Sequence, residues 1–183
     1  MSWAIWITGL PGSGKTTIAA TVAEALRERG VNARILDIGD VRAFIRAAPG
    51  SPFVEDVAHR ALVYAAKCLS ESGTPVIVDA TAPARDWREL ARRSIARFAE
   101  VELMCPATIC GSRERAVRWQ LAGGATQPAS STRADGPEIV LAYERARSPE
   151  LVIHTDVDDV SSAAQQVVRL ALRLHHAQRV EVA

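Results

Sequence analysis

The chain has 183 residues, of which 48% are hydrophobic and 23% are charged, and its formal net charge is +1. This length fits one domain with a substantial core, and the near-neutral charge gives no sign of the basic surface typical of proteins that bind nucleic acid or acidic membranes. Three cysteines without a C-x-x-C pair, and no apolar run long enough for a membrane span, predict a cytoplasmic protein without membrane or nucleic-acid partners.

Short apolar runs alternate with longer helical patterns along the whole chain. The predicted strands are Trp3–Thr8, Ala33–Asp37, Pro75–Ala80, Val101–Cys105 and Leu151–Thr155, and the predicted helices are Lys15–Arg29, Phe53–Glu71, Arg85–Arg97, Arg113–Ala122 and Ser162–Gln178. Strands this short and this apolar are covered on both faces. Strand–helix alternation indicates right-handed βαβ units. We therefore predict an α/β protein, a three-layer α/β/α sandwich around a mostly parallel five-stranded sheet, with residues 1–183 forming a single domain.

Two polar segments and one helix start refine this outline. Residues 46–52 form a Pro/Gly/Ser loop, and Gly123–Pro137 is a longer polar stretch without periodicity. Connections of that length are usually lids over a site or disordered, so we predict a lid region at about residues 111–137. Ser162 and Gln165 have capping-box spacing, which predicts that the last helix begins there.

The most informative stretch is Gly9–Thr17, with the sequence GLPGSGKTT, which follows the first predicted strand and opens the first predicted helix. It matches G-x-x-x-x-G-K-[ST], in which glycines let backbone amides wrap a phosphate and the helix directs its positive end at the same charge. We expect Lys15 to bridge the β- and γ-phosphates of ATP and Thr16 to hold Mg²⁺. The predicted triphosphate site comprises Gly9, Pro11, Gly12, Ser13, Gly14, Lys15, Thr16 and Thr17. The motif therefore predicts a P-loop NTPase fold with strand order 2-3-1-4-5. The alternative interpretation of the same stretch is a glycine-rich turn that binds no ligand.

Carboxylates and arginines follow the later strands, where a parallel sheet binds its ligands. Asp40 lies just past the second strand and is predicted to accept the proton of an attacking hydroxyl or to orient it, although an Asp here also suits a helix cap. Asp79 ends the third strand and is a candidate for the magnesium shell. Arg85 and Arg88 are predicted to contact phosphate or sulfate, with a solvated helix face as the alternative. Arg113, on the lid helix, is predicted to neutralise charge on the transferred phosphoryl group.

The chain resembles the adenylyl-sulfate kinase family from Trp3 to about Leu172. The similar segments are WITGLPGSGKTT, Leu36–Asp40 (LDIGD), Val76–Arg92 (VIVDATAPARDWRELAR) and Pro149–Asp156 (PELVIHTD). The resemblance implies transfer of the γ-phosphate of ATP to the 3′-hydroxyl of adenylyl sulfate, stacking of Arg113 on the adenine of ATP, and a homodimer. The predicted acceptor-binding residues are Asp40, Arg42, Phe53, Arg60, Arg85 and Arg88.

The acceptor half departs from the family pattern. The family's R-x-x-N falls on Glu55 and Ala58, and only Arg60 remains of the arginine pair that follows it. Gly136–Ala142 lacks the aromatic residue that stacks on the acceptor adenine, a role for which Phe53 or Trp119 is the substitute candidate. A kinase for another nucleotide-linked, sugar or natural-product acceptor, or for a polynucleotide 5′-hydroxyl, therefore stays open. So does a regulatory nucleotide-binding module without transfer activity.

Overall fold

The computed structural model describes residues 1–45, 52–121 and 143–180. Five strands and six helices alternate within these ranges. The strands are β1 (Ala4–Gly9), β2 (Arg34–Asp37), β3 (Val76–Asp79), β4 (Phe98–Met104) and β5 (Leu151–His154). The helices are α1 (Lys15–Arg27), α2 (Ile38–Phe44), α3 (Pro52–Glu71), α4 (Arg85–Ser94), α5 (Ala107–Leu121) and α6 (Val160–Val180).

The strands form one sheet in the order β2-β3-β1-β4-β5, and all four pairings are parallel. The register places Asp79 opposite Ile7 on one side and opposite Asp37 on the other. Because parallel strands end at the same edge, the ends of β1, β2 and β3 lie side by side at the carboxyl edge of the sheet. The predicted fold class and strand order are confirmed.

Two apolar clusters cover the two faces of the sheet. The cluster between the sheet and helices α1 and α6 includes Ile5, Ile18, Val22, Val167 and Ala171. The cluster between the sheet and helices α3 and α4 includes Trp6, Leu62, Val78, Trp87 and Ala91. Burial on both faces explains why the strands are nearly continuous in apolar residues.

The helices differ from the sequence prediction at several positions, of which three bear on the site or on a predicted cap. Helix α2 was not predicted, and it begins where the Asp37 side chain accepts hydrogen bonds from the amides of Gly39 and Asp40. Helix α5 begins at Ala107 rather than at Arg113. The predicted capping box at Ser162 is wrong, because the Asp159 carboxylate accepts the Ser162 amide at 2.8 Å and α6 begins at Val160.

Several sequence predictions lie outside the described residues. They are the polar loop up to residue 51, the lid segment Gly123–Pro137, and the Gly136–Ala142 segment that lacks an aromatic residue. Pro52, the last residue of the predicted loop, is the first residue of α3. Within the described ranges, none of the helices has both the length and the hydropathy needed to cross a bilayer.

Candidate active site

The predicted phosphate loop connects β1 to α1 and has the backbone that its glycines suggest. Gly9, Gly12 and Gly14 have φ angles of 148°, 78° and 96°, a region that residues with a Cβ atom rarely adopt. A Cβ atom on Gly9 would lie 2.6 Å from the carbonyl oxygen of Leu103, and one on Gly12 would collide with the carbonyl of Cys110. The loop is therefore packed tightly between the ends of β4 and α5, and only glycine fits at these two positions.

Lys15 lies inside this loop. Its side chain is largely buried, and its ammonium group donates hydrogen bonds to the carbonyl oxygens of Gly9 at 3.1 Å and Leu10 at 2.9 Å. Burial lowers the pKa of the Lys15 ammonium below its usual range, and the charge of nearby Asp79 opposes this effect. The loop carbonyls thus hold the lysine at the position from which it can reach a bound phosphate.

Asp79 and Asp37 form a pair of carboxylates beside the loop. Asp79 is 3% exposed, and its Oδ2 atom has no hydrogen-bond partner among the described residues. Burial raises the pKa of the Asp79 carboxyl group, the Thr16 hydroxyl and the Lys15 charge lower it, and neighbouring Asp37 raises it further. Thr16, Asp79 and Asp37 therefore bring hard oxygen atoms together, which is the donor set that Mg²⁺ prefers.

Asp37 was missed as a site residue in the sequence, although it lies in the LDIGD segment. The signal was its place as the last residue of a strand adjacent to the strand that ends in Asp79. The predicted strand order already placed these two strands side by side, so the sequence contained this signal.

Asp40 lies on the first turn of α2 and is exposed. The alternative reading, in which Asp40 caps the helix, is wrong, because Asp37 provides the cap and the Asp40 amide is one of its donors at 3.2 Å. The Asp40 carboxylate remains free for another role at the carboxyl edge of the sheet.

Two predicted acceptor-binding arginines are each paired with a carboxylate on α3. Arg42 donates from Nε to Glu55 Oε1 at 3.0 Å and from one terminal nitrogen to Oε2 at 2.5 Å. Arg60 donates from Nε to Asp56 at 2.7 Å. The positive charges expected to face an anionic acceptor are thus compensated within the protein.

The remaining acceptor predictions, Phe53 and Arg85, lie at the starts of two different helices. Phe53, the second residue of α3, is 77% exposed. Arg85 begins α4, and its Nε atom donates to the carbonyl of Arg145 at 3.0 Å. Its backbone amide donates to the Glu144 carboxylate at 2.8 Å. The Phe53 side chain is therefore open to solvent, whereas Arg85 is hydrogen-bonded to the segment that precedes β5.

Arg88 is fully buried, in contrast to the predicted phosphate or sulfate contact. One terminal nitrogen donates to the hydroxyls of Thr8 at 3.2 Å and Tyr143 at 3.1 Å, and the other donates to the carbonyl of Glu144. Its Nε atom lies 3.4 Å from the Glu100 carboxylate. This placement corrects the expectation for Arg88: the guanidinium joins β1, β4 and the segment after residue 142, and it has no exposed surface for a substrate.

Arg113 lies on the exposed side of α5 near the end of β5. It donates to the carbonyl of Thr155 at 2.8 Å and approaches the sulfur of Cys105 at 3.8 Å. Burial raises the pKa of the neighbouring Cys110 thiol to about 12, so that thiol stays protonated and acts as packing. Arg113 is therefore held at the carboxyl edge of the sheet, on the β4–β5 side of the phosphate loop.

Comparison with known proteins agrees with this geometry. A sequence model of the adenylylsulphate kinase family matches residues 1–154. A probable adenylyl-sulfate kinase of Archaeoglobus fulgidus is 34% identical over 168 residues, which cover 87% of this chain and 99% of that protein. A probable adenylyl-sulfate kinase of Pyrococcus abyssi is 32% identical over 177 residues, covering 93% of this chain and 95% of that protein. The chain belongs to the adenylylsulphate kinase family.

The solved structures give the same result for the fold. The Mycobacterium tuberculosis APS kinase CysC, solved in complex with AMPPNP and APS, superposes with a TM-score of 0.73 at 28% identity, covering 92% of this chain and 96% of that one. The predicted family and the predicted phosphotransferase class are confirmed. Use of ATP with Mg²⁺, predicted from the phosphate loop, agrees with membership of the adenylylsulphate kinase family.

Proposed function

We propose that this member of the adenylylsulphate kinase family transfers the γ-phosphate of ATP to the 3′-hydroxyl of adenylyl sulfate. The main support is the combination of the phosphate loop with two carboxylates at the ends of adjacent strands. The phosphate loop alone would also suit other classes of protein that bind a nucleoside triphosphate. Carboxylates next to Thr16 and Lys15 add what a transfer reaction needs, which is a place for the metal and control of charge.

The donor half assigns a role to each part of the loop. The amides of residues 9–17 and the start of α1 hold the triphosphate, and the Lys15 ammonium moves from the loop carbonyls to the β- and γ-phosphates. Mg²⁺, which neutralises charge on the phosphates when bound, would be held by Thr16 and Asp79, with Asp37 beside them. Arg113 supports the nucleotide from the α5 side. Catalysis then rests on positioning and charge neutralisation.

The acceptor half lies between α2, α3 and α4. Asp40 orients the attacking hydroxyl or accepts its proton, and Arg42, Phe53, Arg60 and Arg85 surround the acceptor. Arg88 acts from the interior by fixing Thr8 at the base of the phosphate loop. Arg88 is therefore a positioning residue and does not contact the acceptor.

A second candidate is a kinase for a hydroxyl-bearing acceptor that is less anionic than adenylyl sulfate, such as a sugar or an uncharged natural product. The observation that favours it is the pairing of Arg42 with Glu55 and of Arg60 with Asp56. Together with Asp40, these side chains carry a net charge of −1, which does not attract a sulfate or a phosphate.

A panel of acceptors incubated with the enzyme, ATP and Mg²⁺ tests both candidates through the rate of ADP release. We expect turnover with adenylyl sulfate. Strong turnover of an uncharged acceptor without turnover of adenylyl sulfate would transfer the assignment to the second candidate. Absence of turnover with every acceptor, despite ATP binding, would favour a regulatory module. Lys15→Ala serves as the control, because it should lose ATP binding and turnover together.

We also propose that the enzyme is a cytoplasmic homodimer. Large apolar side chains on α2 and α3, those of Phe44 and Tyr64, are 89% and 69% exposed, and exposed apolar surface often marks a protein interface. Cys68, Cys105 and Cys110 are free thiols, as is usual in a reducing compartment. Light scattering at micromolar concentration should give about twice the chain mass of 19.7 kDa. The monomer mass would refute the dimer.

A further inference from the structure

The pair formed by Arg42 and Glu55 lies between α2 and α3, next to the strand end that carries Asp37. Two nitrogens of the guanidinium bind the two oxygens of the carboxylate, which is the strongest geometry for such a pair. The Glu55 side chain is 14% exposed and that of Arg42 is 37% exposed. The pair is therefore partly desolvated, unlike an ordinary surface ion pair.

The backbone of α3 at Glu55 is anchored to α4 through neighbouring side chains. The carbonyl of Glu55 accepts a hydrogen bond from His59 Nδ1 at 2.7 Å, and the His59 ring stacks on Trp87 of α4 at a centroid distance of 3.9 Å. The Trp87 indole donates to Asp56, the next residue of α3, at 2.8 Å. The first turns of α3 are thus fixed against α4, which holds the backbone of Glu55 in place beside Arg42.

An acceptor with an anionic group at this position must compete with Glu55 for Arg42. If Arg42 turns to the ligand, Glu55 is left as a mostly buried carboxylate close to a second negative charge. Its remaining neighbour is the His59 ring, whose Nδ1 atom lies 3.7 Å from a Glu55 oxygen and whose pKa is lowered by burial, so that the ring carries little positive charge near neutral pH. A protein rejects a ligand in this way, because the unpaired buried charge costs more than the new contact returns. A hydroxyl group has no such conflict, since it can donate to a Glu55 oxygen while the ion pair persists.

We propose that Glu55 determines acceptor specificity by holding Arg42, which weakens the binding of acceptors that are anionic at this position and spares acceptors that present hydroxyl groups there. This inference rests on the proposed kinase function and adds a residue that controls its substrate class. It makes adenylyl sulfate a weakly bound acceptor of the wild-type enzyme.

The test compares the wild type with Glu55→Gln, which keeps the shape of the side chain and removes its charge. We expect the KM for adenylyl sulfate to fall at least about tenfold, with the KM for ATP unchanged. The dissociation constant of adenylyl sulfate, measured by calorimetry with Mg²⁺ and AMPPNP, should fall by the same factor. If Glu55 had only a structural role, Glu55→Gln would instead change the KM values for both substrates or lower the free energy of unfolding.

Two further variants make the result specific. Glu71→Gln, at the other end of α3, removes an equal charge from an exposed pair with Lys67 and should leave both KM values unchanged. In the double variant Arg42→Met/Glu55→Gln the gain in affinity for adenylyl sulfate should vanish, because the arginine that Glu55→Gln sets free is missing. A gain that persists without Arg42, or an unchanged or weaker affinity in Glu55→Gln, overturns the inference. Tighter binding of adenylyl sulfate without turnover would uphold the inference and refute adenylyl sulfate as the substrate.

Discussion

Asp37 and Asp40 lie three residues apart, yet the structure gives them different surroundings. Asp37 ends β2 opposite Asp79 and caps α2 with one oxygen, whereas Asp40 is exposed on the first helical turn. The position of Asp37 beside Thr16 and Lys15 suits the metal, and the exposure of Asp40 suits a hydroxyl that arrives from solvent. We therefore propose that Asp37 serves the metal and Asp40 the acceptor.

Asp37→Asn and Asp40→Ala separate these roles. Asparagine caps a helix about as well as aspartate, so Asp37→Asn should change the free energy of unfolding by less than about 0.5 kcal/mol. The Mg²⁺ concentration for half-maximal activity should rise about tenfold, since one of two carboxylates has lost its charge.

Asp40→Ala should leave ATP binding intact and lower kcat by about 10²–10⁴-fold, the usual contribution of a general base.

Magnesium titrations of activity and ATP binding by calorimetry check both variants. An unchanged magnesium requirement in Asp37→Asn would exclude Asp37 from the metal site. Unchanged transfer in Asp40→Ala would exclude Asp40 from the mechanism.

At the scale of elements, the phosphate loop depends on α5 as well as on α1. Gly12 packs against the Cys110 carbonyl in α5, four residues into that helix, so the loop and the helix that carries Arg113 share a contact. Because α5 begins at Ala107, its first turn lies against the loop. A change in the position of the loop is therefore transmitted to the helix that carries Arg113.

Gly12→Ala and Gly30→Ala form a matched pair for this contact. Both glycines have nearly the same φ, 78° and 76°, so both substitutions carry a backbone cost of about 1–2 kcal/mol. A Cβ atom on Gly30 meets open space, whereas one on Gly12 meets the Cys110 carbonyl. We expect ATP affinity to fall at least about tenfold in Gly12→Ala and to be unchanged in Gly30→Ala, as measured by calorimetry. Equal affinities would contradict the proposed tight packing.

At the scale of the whole molecule, buried charges hold together segments that are distant in sequence. Glu100 and Glu102 lie in the central region of the sheet on β4 and are 5% and 1% exposed. Glu102 accepts hydrogen bonds from the Tyr143 hydroxyl and the Ala146 amide, each at 3.3 Å. Glu100 faces Arg88. This network fixes the segment that precedes β5 to the sheet beneath the active site.

Arg88→Met tests the network. Removing the guanidinium leaves Glu100 buried with only its weaker contact to Arg92 at 3.6 Å. Breaking a buried pair on one side costs about 3–5 kcal/mol, and we expect a loss of that size in urea unfolding. Arg93→Met, which removes an exposed arginine paired with Glu89 at 3.7 Å, should change stability by less than about 0.5 kcal/mol. Similar losses in both variants would contradict the network.

His59 makes the stability of the whole fold sensitive to acid. Burial lowers the pKa of His59 below its usual value, against the opposing effect of the Glu55 carbonyl. As the pH falls through about 6.5, the unfolded chain gains a proton at His59 that the folded chain does not accept. The contribution of neutral His59 to the free energy of unfolding is therefore complete above this pH and is lost progressively as the pH falls below it.

His59→Gln should lack this component of acid sensitivity, because glutamine does not titrate and its amide can still donate to the Glu55 carbonyl. Urea unfolding at pH 7.5 and pH 5.5 measures the loss in each protein. The matched variant His176→Gln, at an exposed position of α6, should lose as much stability as the wild type. An unchanged loss in His59→Gln would refute the role of this histidine.

The sequence by itself determined the family, the sheet order and the phosphate loop. The phosphate loop and the strands depend on local patterns: apolar runs of strand length, glycines where φ must be positive, and a lysine and threonine at fixed offsets from them. The family and the sheet order follow from the resemblance and from the fold that the phosphate-loop motif indicates. Lys15, Thr16 and Asp79 could be placed because each directly ends a strand or begins a helix. Single-domain organisation and the lid at residues 111–137 stay predictions.

Only the tertiary structure decided which charges face one another. Arg42 and Arg88 are equally basic in the sequence, but the fold pairs the first with Glu55 of α3 and buries the second beside Glu100. The pair of Arg60 with Asp56 is different, because the two residues lie four apart on α3 and face each other through helical spacing. Pairing between residues far apart in the chain depends on packing, and no local pattern encodes it.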